Sequence, residues 1–178
     1  YRSAAAVYDT AGKEVFKYRS SEYYMVTAVL SPDCKTLAAL GFRQNGITLE
    51  SHVLFFDVSS GKQYADAVLS DSLGVALTYS ENGAAAVLCD NGLFRVTRKG
   101  DTEQLLELSA QDLVASTTQP DRMALAIRSY QNGARCDLYT VRGGTLHGPF
   151  ALAEEPSTLA ISNAGTAVLS AAGVSVYS

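Results

Sequence analysis

The sequence predicts an all-β protein built from repeated four-stranded antiparallel units, and two recurring kinds of turn are the first evidence. Polar tight turns begin at Ser31, Ser80, Gln119 and Ser162, and glycine turns contain Gly12, Gly61, Gly100 and Gly143. Each of these glycines precedes the next polar turn by 19 residues. No segment shows the periodicity of an amphipathic helix. Constant spacing without helical periodicity indicates an internal repeat of β-strands.

Four short strands are predicted in each unit. The first strands are residues 25–30, 74–79, 113–118 and 157–162; second strands begin at Thr36, Ala84, Met123 and Thr166; third strands begin at His52, Gly92, Cys136 and Gly173; fourth strands begin at Lys62, Glu103 and His147. The second strands are apolar throughout, although an antiparallel strand with one wet face should alternate. Both faces of each unit are therefore expected to be covered by neighbouring sheets.

Units of about 40 to 45 residues with four short strands are typical of β-propeller blades. The predicted fold is a single domain over residues 1–178 with about four blades, three complete and two partial. Blades are placed at approximately 21–69, 70–108, 109–153 and 154–178, and the strands within 4–19 either close the ring or belong to a preceding blade. The preferred interpretation is that these blades belong to a larger ring of about seven or eight blades, or that two chains pair to complete a ring. A closed four-bladed ring and a β-sandwich are the alternatives.

Several turn sequences resemble a known class of repeat. These are VYDTAGKEV at 7–15, FFDVSSGKQ at 55–63 and SPDCKTLA at 31–38, which resemble bacterial WD-repeat-like and quinoprotein-like β-propeller repeats. The chain departs from the WD signature because it has no Trp and no Gly-His pair before a first strand. It also resembles membrane-anchored bacterial propeller proteins that contain a domain of unknown function. This resemblance implies no particular activity. The compartment stays open, and an extracytoplasmic domain of a membrane-anchored protein is one of the options.

Differences in unit length fall between second and third strands, where loops are predicted at 42–52, 90–92, 129–136 and 171–173. In a propeller these loops share one face with the connections into first strands, and variable loops commonly carry binding residues. The predicted binding residues are Arg43, Gln44, Asn45, Glu50, His52, Tyr130, Asn132 and Arg135 from the loops, and Tyr23 and Tyr24 from a connection. Tyrosine and arginine favour a protein contact. The alternative is that polar loops simply tolerate insertions.

No catalytic, metal-binding or cofactor-binding residue is predicted. Ser51 and His52 are adjacent, so on an extended chain their side chains point in opposite directions and cannot be assumed to form a nucleophile-base pair. His52 and His147 are both predicted to be solvated. Cys34, Cys89 and Cys136 fit neither a disulfide framework nor a zinc motif, and they are interpreted as small buried hydrophobic residues.

The distribution of charged and apolar residues argues against nucleic acid as a partner and against a membrane span. A formal net charge of -4 without long runs of one sign gives no basic surface for nucleic acid. No apolar stretch approaches the roughly 18 residues needed to span a membrane. The predicted function is a non-catalytic binding or scaffold module for a protein or peptide, or for a second copy completing a propeller. A propeller hydrolase, lyase or quinone-dependent enzyme with a channel site, and a purely structural segment, are the alternatives.

Overall fold

A computed structural model describes residues 3–80, 83–130 and 135–178, which form five antiparallel sheets. Sheet 1 contains β1 (Ser3–Tyr8) and β2 (Glu14–Ser20). Sheet 2 contains β3 (Tyr24–Leu30), β4 (Thr36–Asn45), β5 (Thr48–Asp57) and β6 (Gln63–Ser70). Sheet 3 contains β7 (Gly74–Tyr79), β8 (Ala85–Cys89), β9 (Gly92–Val96) and β10 (Thr102–Glu107). Sheet 4 contains β11 (Leu113–Gln119), β12 (Arg122–Arg128), β13 (Cys136–Arg142) and β14 (Thr145–Leu152), and sheet 5 contains β15 (Thr158–Ile161), β16 (Thr166–Ser170) and β17 (Gly173–Tyr177).

Within every sheet the strands lie side by side in chain order and pair antiparallel. The predicted all-β class and the four-stranded units are thus confirmed. The predicted loop at 42–52 is wrong, because β4 and β5 continue through most of it as a paired hairpin. Polar residues there suggested a loop, yet a hairpin that extends beyond its sheet needs no apolar face.

The sheets stack face to face with apolar layers between them. The first strand of sheet 3, β7, lies against β3 and β4 on one side and against β11 and β12 on the other. Between sheets 2 and 3, Phe55 and Val53 pack with Leu77 and Val87, and all four are buried. Equivalent layers separate sheets 1 and 2, sheets 3 and 4, and sheets 4 and 5. This stacking explains why the second strands are apolar on both faces.

The glycine turns join third to fourth strands, as the repeat predicts. In one of them the Asp57 carboxylate accepts hydrogen bonds from the backbone nitrogen and the hydroxyl of Ser60, at 2.7 and 2.8 Å. Gly61 then reverses the chain at a φ of 71°, which glycine adopts without steric cost. The sequence DVSSGK therefore specifies its turn locally.

A buried serine fixes two of the connections between sheets. The hydroxyl of Ser51 on β5 donates to the carbonyl oxygen of Ser72 and accepts from the backbone nitrogen of Gly74, both at 2.8 Å. Ser3 on β1 repeats the pattern, donating to the Tyr23 carbonyl at 3.0 Å and accepting from Met25 at 2.7 Å. β1 therefore has the same relation to sheet 2 as β5 has to sheet 3.

The pairing of the strands in the first and last sheets is relevant to the predicted closure of the ring. β2 pairs with β1, and no pairing of β2 with β17 occurs among the described residues. The number of blades in the closed ring, the blade boundaries and the assignment of residues 1–178 to a single domain stay predictions.

Candidate binding site

The paired strands of the β4–β5 hairpin are longer than those of the other hairpins that join second to third strands. Each of its strands has 10 residues, compared with 5 to 7 in sheets 3, 4 and 5. Three additional residues lengthen a strand by about 10 Å. The hairpin closes with the two-residue turn Gly46-Ile47, between the paired residues Asn45 and Thr48. Ile47 is fully exposed at the tip and Leu49 is exposed beside it.

His52 lies on β5 at the base of this hairpin, and its side chain is only 1% exposed. Its Nδ1 atom lies 2.7 Å from Oδ1 of Asp66 on β6, and its ring packs against the ring of Tyr23 with centroids 4.8 Å apart. The other ring nitrogen, Nε2, is buried without a hydrogen-bond partner and lies 3.7 Å from Oε2 of Glu50. The prediction that His52 is a solvated loop histidine is wrong, because Tyr23 covers it.

Tyr23 belongs to the connection between sheets 1 and 2, and two serines hold its backbone. The Ser20 hydroxyl accepts from the Tyr23 nitrogen at 2.7 Å, and the Ser3 hydroxyl donates to the Tyr23 carbonyl. Gly41, paired with His52 across β4 and β5, leaves room for the ring, since a Cβ there would lie 3.4 Å from the Tyr23 Cβ and 3.1 Å from the Tyr24 carbonyl oxygen. The Tyr23 hydroxyl donates to Oδ2 of Asp66 at 3.2 Å.

Arg43 and Glu50 face each other across the base of the hairpin. Arg43 Nε lies 3.6 Å from Glu50 Oε2, and its guanidinium carbon lies 5.7 Å from the centre of the Tyr23 ring. The Asn45 side-chain amide donates to the other oxygen of Glu50 at 2.9 Å. Glu22 contacts the outer side of Arg43 at 4.0 Å. The hairpin base is therefore tied across its two strands and to the preceding connection.

This group of side chains, Tyr23, Arg43, Glu50, His52 and Asp66, is called the hairpin cluster below. Burial and the Asp66 charge raise the pKa of Tyr23 to about 12. Burial works against ionisation of Asp66, but the hydrogen bonds from His52 and from the Tyr23 hydroxyl help to hold the pKa of Asp66 below its usual value. The Asn45 hydrogen bond is the largest influence on Glu50, whose pKa is also lowered.

The remaining predicted residues lie apart from the cluster or at its margin. Tyr24 stacks on Phe42 with ring centroids 5.4 Å apart, and the Gln44 side chain donates to the Gly46 carbonyl. Tyr130 lies just after β12 and is highly exposed, and its hydroxyl donates to Asp112 at 2.8 Å. Arg135 lies just before β13 and is also exposed. Asn132 lies outside the described residues.

Sequence reasoning missed Asp66, and it misjudged one cysteine. Asp66 pairs with Leu54 across β5 and β6, so it lies on the same face as His52 as its diagonal neighbour. Gly41 was the available signal for the approach of the segment that contains Tyr23, because a glycine inside an apolar strand marks the close approach of another chain segment. Cys89 and Cys136 are buried as predicted, whereas Cys34 is exposed in its polar turn.

Two kinds of feature are absent from the part of the chain that the structure describes. Residues 3–80, 83–130 and 135–178 contain no group of three or more His, Cys, Asp or Glu side chains arranged to hold a metal ion. They also contain no helix that is long and apolar enough to cross a membrane.

Solved structures similar to this chain support the fold. The computationally designed Ika4 protein is 13% identical, with a TM-score of 0.55 over 93% of this chain and 98% of that chain. The β-propeller domain of the Trilobed protease from Pyrococcus furiosus is 13% identical, with a TM-score of 0.52 over 93% of this chain and 54% of that chain. Puromycin hydrolase is 15% identical, with a TM-score of 0.52 over 90% of this chain and 27% of that chain. This chain thus spans about half of the protease domain's structure, and likeness at such identity supports a β-propeller fold alone.

Sequence comparison with curated proteins and with family models gives different results. No curated protein matches the chain significantly. Residues 3–150, well over half of the chain, match the model of a family of unknown function, DUF5711.

Proposed function

Because the chain belongs to DUF5711, a family of unknown function, its role has to be inferred from its own residues, and we propose that it is a non-catalytic β-propeller module that binds a protein or peptide through the β4–β5 hairpin. The observation that carries the proposal is the complete exposure of Ile47 at the tip of the hairpin with the longest paired strands among those that join second to third strands. A partner that buries an aliphatic side chain of this size gains about 1.5 to 3 kcal/mol. Leu49 adds a second apolar group.

The hairpin cluster supports this role by holding the base of the hairpin. Arg43 and Asn45 on β4 both contact the Glu50 carboxylate on β5, and Arg43 also lies over the Tyr23 ring. A projecting element that is ordered before binding loses less conformational entropy when it meets a partner. Arginine and tyrosine at the base also suit a protein contact.

The first strands give no support to the alternative of an enzyme with a channel site. In a propeller these strands line the channel, and β3, β7, β11 and β15 contain no Asp, Glu, His, Cys, Lys or Arg. General acid-base catalysis usually relies on such side chains. The proposal has a second part, which rests on the turn sequences. It is that the repeats are WD-repeat-like or quinoprotein-like and that the protein is bacterial and extracytoplasmic.

The proposal is tested by comparing the proteins that the immobilised chain retains from an extract of its source organism. We expect Ile47→Asp to reduce specific retention at least about tenfold, which corresponds to about 1.4 kcal/mol. Ala11→Asp makes a matched change from apolar to charged at an exposed glycine turn and should leave retention unchanged. Equal retention by the wild type and Ile47→Asp, or no specific retention by the wild type, contradicts the proposal.

A further inference from the structure

The buried imidazole of His52 has a carboxylate at each nitrogen. Nδ1 lies 2.7 Å from Asp66 and Nε2 lies 3.7 Å from Glu50. A neutral imidazole carries one proton, and the short contact with the ionised Asp66 places it on Nδ1. Nε2 is then a buried acceptor facing a carboxylate, which explains why it has no hydrogen-bond partner. A second proton on the ring would turn Nε2 into a donor directed at Glu50.

Glu50 is the side chain that a second proton on His52 would attract. Its Oε2 atom lies 3.6 Å from Arg43 Nε and 3.7 Å from His52 Nε2, so the guanidinium and a protonated imidazole compete for the same oxygen. The charged and titratable groups around His52 come from every neighbouring element: Glu22 and Tyr23 from the connection, Arg43 from β4, Glu50 from β5 and Asp66 from β6. Three of these are carboxylates and one is a cation. A protonated imidazole would therefore be surrounded mainly by carboxylates.

The two possible partners of Glu50 have different structural consequences. Arg43 and Asn45 lie on β4, so their contacts with Glu50 tie the two strands of the hairpin together. His52 lies two residues from Glu50 on β5 itself, so a contact between them adds nothing across the hairpin. If Oε2 of Glu50 accepts a hydrogen bond from His52, it is less available to Arg43, and the cross-strand contact weakens.

We propose that protonation of His52 loosens the β4–β5 hairpin by drawing Glu50 away from Arg43 and Asn45. Acidification is the signal, because a second proton on the ring gives it the charge that attracts Glu50. The consequence for binding rests on the proposed function: a looser hairpin loses more entropy on contact, and partner affinity falls as the pH falls.

The mobility of the hairpin tip can be measured without a partner. The chain contains no Trp, so the Ile47→Trp substitution provides a single indole at the tip. We expect the fluorescence anisotropy of this indole to be lower at about pH 5 than at about pH 8. The decrease should be absent when His52→Gln is added. It should persist with His147→Gln, which changes the only other histidine, an exposed one on β14.

Glu50→Gln provides a second test in case His52→Gln does not fold. This substitution keeps the imidazole but removes the charge that it attracts, so the anisotropy should not change with pH. Anisotropy that is flat with Ile47→Trp alone, or that falls equally with His52→Gln or Glu50→Gln, overturns the proposal. Because no partner is present, that outcome leaves the binding function untouched, and retention by Ile47→Asp tests the latter separately.

Discussion

Oδ1 of Asp66 lies 2.7 Å from Nδ1 of His52, and Oδ2 of the same carboxylate accepts the Tyr23 hydroxyl at 3.2 Å. One side chain on β6 thereby joins the third strand of its sheet to the connection from the preceding sheet. The aromatic ring held in this way covers His52 and supports Arg43. The base of the exposed hairpin depends on this arrangement.

Asp66→Asn should lower the free energy of unfolding at neutral pH. A hydrogen bond to a charged group contributes about 1.5 to 3 kcal/mol, and the partial exposure of Asp66 reduces this to about 1 to 2 kcal/mol. Since its pKa is lowered in the folded protein, the contribution is complete above the unfolded value, near 4, and is lost as the pH falls through the folded pKa. Urea unfolding of both proteins at neutral pH and at about pH 3 measures the difference. A difference that grows in acid would contradict this account.

Tyr23 should ionise later than an ordinary tyrosine. Its pKa of about 12 means that the protonated phenol is favoured in the folded protein, and the associated stability is complete below about pH 10 and lost between about 10 and 12. The difference in phenolate absorbance between the wild type and Tyr23→Phe isolates this group. In Asp66→Asn the pKa should move towards 10, whereas titration near 10 in the wild type would mean that Tyr23 is not buried against Asp66.

Gly41→Val should displace Tyr23. A Cβ at this position would already lie 3.1 Å from the Tyr24 carbonyl oxygen and 3.2 Å from the Met25 sulfur, so a branched side chain cannot be accommodated without movement. Overpacking of this kind costs about 1 to 3 kcal/mol. Denaturant unfolding measures the loss, and the Tyr23 titration should shift towards 10. Gly41→Ala should have a smaller effect on both, and equal effects would reject the steric explanation.

Val53→Ala tests the apolar layer between sheets 2 and 3. Val53 is completely buried, so removing two methyl groups should reduce the free energy of unfolding by about 1.5 to 3 kcal/mol. Val26 on β3 is 42% exposed, and Val26→Ala should change stability by less than about 0.5 kcal/mol. Similar losses for both substitutions, measured by urea unfolding, would show that the sheets do not stack in this way.

The strands were predictable because their spacing depends on local signals. Glycine turns and polar turns mark their ends, and segments such as β8, which is apolar throughout, indicate burial on both faces without further information. The hairpin between 42 and 52 was not predictable in this way. Residues 44–49 at its outer end are exposed, so their polar side chains carry no strand periodicity.

The hairpin cluster was predicted only in part, and the reason is the distance along the chain between its members. Arg43, Glu50 and His52 come from one hairpin, and Tyr23 was selected from the connection before it. The burial of His52 depends on Tyr23, 29 residues earlier, and the position of Asp66 depends on a register shift between Phe55 and Phe56. The register shift has no local sequence signal, and Gly41 indicates that another segment approaches without indicating which one.

The central claim is that the tip of the β4–β5 hairpin touches a partner, and site-specific photocrosslinking tests it most directly. A photoreactive phenylalanine analogue replaces Ile47 in one protein and Ala11 in another, and both are irradiated in cells of the source organism. The account predicts a discrete crosslinked protein for position 47 and none for position 11. Equal crosslinking at both positions, or no crosslinked protein at position 47, would contradict it.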